Sequence, residues 1–304
     1  MSNKIDIFDG YEKSDLLGQG YNSKIYKFIN PANTDAIAVK IYNLDVLLKK
    51  LVYDFELNEY RDLTSIAFKE LEYYQTISVK EGSDRYMPRY IGNQQTKSKL
   101  MIAMELSHFG QIYMFDNSLN TYHINNKIAN RVNKDQINSW TIDMINCIDF
   151  MHRNNYAHLD IKIENFLLFE ENEGLKVKLT DYNYSKQFEK NEKVNIKYGT
   201  FLYASPETVF SLDETYNPFK TDIWALGVCI YILYKSKLPF MAKEGATNYE
   251  LSYSSSTKHK EPIYTELEPD LVDLLQHMFE KENEKRWSID EIKNSTFYLN
   301  HKSD

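Results

Sequence analysis

At 304 residues, with 42% hydrophobic and 14% aromatic side chains, the chain has enough apolar material for one large domain or two packed lobes sharing a cleft, so disorder is not the default reading. Its 44 acidic and 36 basic side chains leave a net charge of -8 with no long basic block, and nucleic acid is not an expected partner. Cys147 and Cys229 sit in segments that read as apolar helices, which argues against a disulfide framework and for a reducing compartment.

From the N-terminus, Met1 to Gly10 is polar and acidic, with neither the apolar core of a signal peptide nor a glycine after Met1. No apolar run elsewhere reaches the roughly 20 residues that span a bilayer, so a soluble, intracellular protein without membrane association is expected, in the cytoplasm or the nucleus. Residues 11 to 110 alternate short β-type runs, Lys24 to Phe28, Ala36 to Tyr42 and Lys99 to Glu105, with one long helical stretch. Between the second run and that helix, Leu44, Leu47, Leu48, Leu51 and Phe55 recur at helical spacing. This predicted amphipathic helix either packs on its own lobe or offers a face to a regulatory partner. The Asn-rich stretch from Asp116 to Asp135 reads as a surface loop or short helix. Beyond Ile137 the chain reads mainly helical. Ile137, Trp140, Thr141, Met144, Ile148 and Met151 form one core stripe, and Leu271, Leu274, Leu275, Met278 and Phe279 another.

Chemistry-bearing residues punctuate these elements. Gly18-Gln19-Gly20 precedes a strand, where backbone amides can close over phosphates without a Cβ in the way; alone, it reads equally well as a hairpin turn. Lys40 ends the apolar run Ala38-Val39, where a buried cation is costly unless it meets anions. On the following helix, Glu70 lies beside the stripe of Ala67, Phe68, Leu71, Tyr74 and Ile77 and is the candidate partner of Lys40, with Glu72 in reserve. The decisive segment is His158-Leu159-Asp160-Ile161-Lys162-Ile163-Glu164-Asn165, followed by the run Phe166 to Phe169 and, past Gly174, by Val177-Lys178-Leu179-Thr180-Asp181. Transfer of a phosphoryl group from ATP needs a carboxylate facing the acceptor hydroxyl, hard oxygen ligands for Mg²⁺ and a cation on the γ-phosphate. Asp160, then Asn165 with Asp181, then Lys162 supply these.

In this order the motifs resemble the eukaryotic protein kinase family over about Tyr11 to Phe297. The resemblance implies an α+β, bilobal fold with a small β-rich N-terminal lobe carrying one main helix and a larger, mainly helical C-terminal lobe. It spans 11–297, with the small lobe at about 11–105, the hinge at about 105–108, the large lobe at about 109–297, and short extensions at 1–10 and 298–304. Met104-Glu105-Leu106-Ser107 resembles the adenine-binding hinge, with Met104 gating the rear pocket, and Ile25, Ala38 and Leu167 match adenine-sandwiching positions. Leu17, Gly18, Gly20, Lys40 and Glu70 complete the implied nucleotide-binding set. Gly199-Thr200, Ser205-Pro206-Glu207, Asp222-Ile223-Trp224-Ala225-Leu226-Gly227 and Arg286 match later landmarks; Glu207 is implied to pair with Arg286, and Asp222 to brace the catalytic loop. Lys162 with Gly199-Thr200 resembles serine/threonine kinases more than tyrosine kinases. ATP and Mg²⁺ are the implied cofactors, and a protein is the implied substrate.

Several departures qualify the resemblance. Leucine occupies position 159 in place of the arginine that receives an activation-segment phosphate, and Ile196 stands where the phosphorylated residue is usual. The two losses agree, and they predict activity without phosphorylation of the Asp181 to Glu207 segment. The Asp-Phe-Gly motif reads Asp181-Tyr182-Asn183, and an asparagine taking up the glycine's left-handed backbone is expected to cost on the order of 1 kcal/mol, about tenfold on a rate. Ser23 and Ile163 replace a loop glycine and a proline without removing a reacting group. A pseudokinase scaffold is the rival reading, distinguished by whether Lys40, Asp160, Asn165 and Asp181 all survive, as they do. A small-molecule kinase is disfavoured by the peptide-binding features of 199–207.

Overall fold

A computed structural model of the chain describes residues 8–54, 59–116, 121–172, 174–196, 199–210, 215–240 and 260–302. Backbone contacts divide it into two units: the residues up to His108 together with Asp181–Asn183, and Phe109–Thr180 together with the residues from Tyr184 onward.

The first unit is built on a five-stranded antiparallel sheet of β1 (Glu12–Gln19), β2 (Ser23–Ile29), β3 (Ala36–Asn43), β6 (Tyr90–Gln95) and β7 (Lys99–Glu105), in the order β1-β2-β3-β7-β6. The alternation along β3 separates two faces. Ile37 and Val39 join Phe28 and Ala103 in a small apolar core, while Ala38, Lys40 and Tyr42 point the other way. Between β3 and the main helix α2 (Thr64–Ile77) lie α1 (Leu44–Leu47), β4 (Leu51–Asp54) and β5 (Glu59–Asp62). This corrects the expectation of one amphipathic helix through Phe55. The helix ends after Leu47, and Leu51 opens a hairpin paired with Asp62; Phe55 itself lies outside the described residues. Leu44 and Leu47 are buried, which accounts for the first turn of the periodicity, whereas Leu48 and Leu51 are exposed.

The second unit is organised by two long helices. In α3 (Lys134–Arg153), capped by Asn133 accepting from the Gln136 amide, the predicted stripe from Trp140 to Met151 is buried. In α5 (Pro218–Lys235), Asn217 and Pro218 set the start, and nearly every side chain from Thr221 to Leu233 is buried, making it the core of the unit. Cys147 and Cys229, one in each helix, are buried and not joined in a disulfide. The hairpin of β12 (Phe166–Glu171) and β13 (Gly174–Leu179) packs against α3 and is extended by β8 (Gly110–Gln111). The Asn-rich stretch is not a plain loop. β9 (Tyr113–Asp116) and β10 (Thr121–Ile124) pair as a second hairpin, because Tyr122 is buried with its hydroxyl 3.0 Å from that of Tyr203. Asn125 then donates to the Phe109 and Gln111 carbonyls at 2.9 and 2.8 Å. A short pair, β11 (Tyr156–Ala157) with β14 (Lys186–Gln187), and the helices α4 (Pro206–Phe210), α6 (Pro269–Met278), α7 (Ile289–Lys293) and α8 (Thr296–His301) complete the unit. Among the described residues no helix is long and apolar enough to cross a membrane.

Candidate functional site

The functional side chains fall into two groups, one in each unit. In the first, strand register sets Gly18, Ile25, Lys40 and Ile102 side by side across four strands, with Ala38 opposite Met104. Lys40 is buried, and its Nζ donates to Glu70 Oε1 at 2.8 Å and to Asp181 Oδ1 at 2.6 Å. Burial opposes the ammonium's charge, but the Asp181 and Glu70 carboxylates outweigh it and hold Lys40 above its ordinary value. Burial pushes Glu70 upward against the attraction of Lys40. Glu72 is exposed on the same helix, so Glu70 is the partner.

Tyr42 follows Lys40 on the same face of β3, and its hydroxyl stands within hydrogen-bond reach of Glu70 Oε2 and Asn183 Oδ1, with one proton to share between the two acceptors. Asn183 Oδ1 also accepts from Lys40 Nζ at 3.3 Å. Tyr182 is buried, stacked on Tyr73 of α2 with ring centroids 4.1 Å apart and edge-on to Tyr74 at 5.4 Å. The left-handed residue here is Asp181, with φ of 67°, while Asn183 has no positive φ. The expected backbone cost at Asn183 is therefore absent; the amide serves as a hydrogen-bond acceptor instead.

The second group centres on the loop between β11 and β12. Asp160 Oδ2 accepts from Lys162 Nζ at 2.7 Å, and Oδ1 accepts from the Thr200 hydroxyl at 2.8 Å. Asn165 Nδ2 donates to the Asp160 carbonyl at 2.9 Å, which closes the loop on itself. Thr180 N donates to the Asn165 carbonyl at 2.9 Å, so the hairpin fixes where Asn165 stands. Asp222 of α5 braces the loop from beneath: it accepts from the His158 and Leu159 amides at 2.7 and 2.9 Å and lies 3.0 Å from His152 Nε2. Leu159 has φ of 66°, and a Cβ on Gly199 would stand 2.8 Å from its carbonyl oxygen. Only glycine fits at 199, where φ is 102°.

Leu159 and Ile196 belong to one apolar region. Ile196 is buried in a cluster with Ala157, Phe188, Val194 and Tyr216, and Leu159 packs against it. Val194 and Tyr216 exchange both backbone hydrogen bonds at 2.9 Å, and the Tyr216 hydroxyl donates to the Ile196 carbonyl. Glu164 accepts from the Tyr203 hydroxyl at 2.9 Å.

Of the remaining sequence-predicted residues, Leu17 and Gly20 are exposed, Met104 is buried, and Glu105 and Leu106 are half-buried. Glu105 N and the Arg89 carbonyl pair at 2.9 Å. Leu167 is half-buried on β12, opposite Gln111 and Lys178. Sequence reasoning missed Tyr42, although its spacing of two from Lys40 on a strand puts both on one face. It also missed His152, for which no local signal exists.

The protein kinase domain family model matches residues 11–298. Among curated relatives, the phosphorylase b kinase gamma catalytic chain, liver/testis isoform, of Mus musculus is 22% identical over 96% of this chain and 67% of its own length. An SNF-related serine/threonine-protein kinase of Homo sapiens is 30% identical over 66% of this chain and 24% of its own length. CBL-interacting protein kinase 11 of Oryza sativa subsp. japonica is 26% identical over 98% and 53%.

Proposed function

Since the chain belongs to the protein kinase domain family and one of the relatives it resembles is named a serine/threonine-protein kinase, we propose that it transfers the γ-phosphate of MgATP to serine or threonine hydroxyls of a protein substrate. The observation that carries this reading is the Asp160 carboxylate, buried and held between the Lys162 ammonium and the Thr200 hydroxyl. A carboxylate that already accepts a hydroxyl proton donor is poised to take the proton of a substrate hydroxyl. Lys162 then supplies the cation that accompanies the transferred group.

The nucleotide fits the residues present. A Cβ at Gly18, near the end of β1, would meet nothing within 4 Å, so this end of the β1–β2 hairpin leaves open the space that a close backbone approach to phosphate needs. Lys40, already kept charged by two carboxylates, is the cation for the α- and β-phosphates. Asp181 and Asn165 each offer a hard oxygen to Mg²⁺. Bound MgATP supplies the phosphoryl group; the protein positions it and handles the proton.

Phosphorylation of the 181–207 segment has no role in this reading, because the apolar packing of Leu159 against the Ile196 cluster does the anchoring that an arginine and a phosphate do elsewhere. Phosphatase treatment is expected to leave turnover unchanged. Ile196→Asp puts an unpaired carboxylate into that cluster and is expected to lower kcat about tenfold or more. Steady-state kinetics of the phosphatase-treated protein and of the variant check both statements; turnover lost on dephosphorylation would refute the anchoring.

The function itself is tested with labelled MgATP and the purified chain, by measuring transfer to itself and to a generic basic protein and identifying the modified residue. Label on serine or threonine is the expected result. Detectable ATP binding with no transfer would replace the enzyme by a nucleotide-binding scaffold.

A further inference from the structure

Two side chains beside Lys40 have no part in the roles assigned above. Tyr42 is fully buried, and its hydroxyl stands between the Glu70 carboxylate of α2 and the Asn183 amide. Burial and the neighbouring Glu70 carboxylate hold the Tyr42 hydroxyl far above its ordinary value, so it keeps its proton. The segment from Asp181 to Asn183 is thus tied to β3 twice, through Asp181 to Lys40 and through Asn183 to Tyr42 and Lys40. Between the ties, Tyr182 is clamped on the rings of Tyr73 and Tyr74.

The first residue of this segment is the one that needs holding. Asp181 adopts a left-handed backbone at φ of 67°, which aspartate tolerates better than most non-glycine residues but which still costs free energy that surrounding contacts offset. A glycine at 183 has no amide with which to reach Tyr42, and a phenylalanine at 42 has no hydroxyl to offer Asn183. Loss of either group deprives the other of a buried partner. Glu70 gives one oxygen to Lys40 and the other to Tyr42, so a shift of α2 is passed to Asn183 through a single hydroxyl.

We propose that Tyr42 and Asn183 are a pair of positioning residues that hold Asp181 in its left-handed conformation against Lys40 and make α2 and the 181–183 segment move as one. The consequence for turnover rests on the kinase reading; the pairing itself does not.

The test uses the full chain as wild type, Tyr42→Phe, Asn183→Gly and the double variant, with Asn183→Ala in hand should either single variant fail to fold. Amide hydrogen exchange of the nucleotide-free proteins is followed over 181–183, with α5 as internal reference, alongside kcat and the KM for ATP. Each single change is expected to speed exchange at 181–183 about tenfold without altering α5, and to lower kcat about tenfold with KM within about threefold. The double variant is expected to be no worse than the worse single one, because both remove the same link. A purely structural role would instead loosen α5 as well. Wild-type exchange at 181–183 in both single variants, or effects that multiply in the double variant, would overturn the pairing. If the wild type transfers no phosphate, the kinase reading falls and exchange alone decides the pair.

Discussion

Asp160→Asn is expected to lower kcat by about 10³ while leaving the KM for ATP within about threefold. The side chain is nearly isosteric, and what surrounds Asp160 is fixed independently of its charge. Its carbonyl is held by Asn165, and the preceding amides are held by Asp222. The loop therefore keeps its shape, and the melting temperature should move by no more than a few degrees. Two things are lost. The amide has a single acceptor oxygen, which must face the Lys162 ammonium, since turning the NH₂ group toward a cation 2.7 Å away is repulsive. The NH₂ group then points at Thr200 Oγ1, where Oδ1 now accepts, and no acceptor remains for a hydroxyl proton. Nucleotide-binding groups on β3 and α2 are untouched, so ATP affinity is retained. Steady-state kinetics with calorimetric ATP titration measures both quantities, and a variant that keeps more than about a tenth of wild-type kcat would remove Asp160 from the role given to it.

The parts of this arrangement that were legible in the sequence are those whose cause is local or periodic. The β3 run ending in Lys40 and the α2 stripe carrying Glu70 follow from strand and helix periods, and they meet at 2.8 Å. The replacement of Leu159 and Ile196 as a pair was visible in the motif, but the cluster they join was not. Phe188 and Tyr216 are distant in sequence from the loop at 159, and neither carries a pattern of its own. Asn183 failed in an instructive way. Reading it as the substitute for a glycine assigns it the glycine's backbone, yet the left-handed residue is Asp181, and Asn183 is there for its side chain. Its partners, Tyr42 and Lys40, lie more than 140 residues away, at separations of 141 and 143, where no local rule reaches. The 113–124 hairpin was hidden for a related reason: the Asn-rich composition signals a surface loop or short helix, and only the burial of Tyr122 against Tyr203 shows that its flanks are strands.

Arg286→Ala is expected to destabilise the second unit by about 3–5 kcal/mol, the usual consequence of removing one partner of a buried ion pair. Arg286 is fully buried. Its NH1 and NH2 donate to the two oxygens of Glu207 at 2.6 and 3.0 Å. Its remaining donors serve the carbonyls of Glu280 and Lys220 at 2.9 and 2.8 Å, so truncation takes a donor from two carbonyls as well as two from the carboxylate. Arg286→Lys should recover only part of the loss, since an ammonium cannot reproduce the planar fork. The pH dependence gives the pair a signature. Burial works against the Glu207 charge, but the guanidinium and its hydrogen bonds prevail and hold the carboxyl below its ordinary value of 4.5. A depressed folded value means that the stabilisation is fully present above the unfolded value and is lost as pH falls through the folded one. In the alanine variant burial acts unopposed by Arg286 and drives Glu207 upward, so that its folded state gains protons on acidification where the wild type resists them. The stability gap between the two proteins should therefore be widest near neutral pH and should narrow toward about pH 4. Urea unfolding at both pH values measures the gap directly, and one that stayed constant or widened in acid would show that Arg286 acts through packing against Trp224 and its backbone contacts and not through the charge of Glu207.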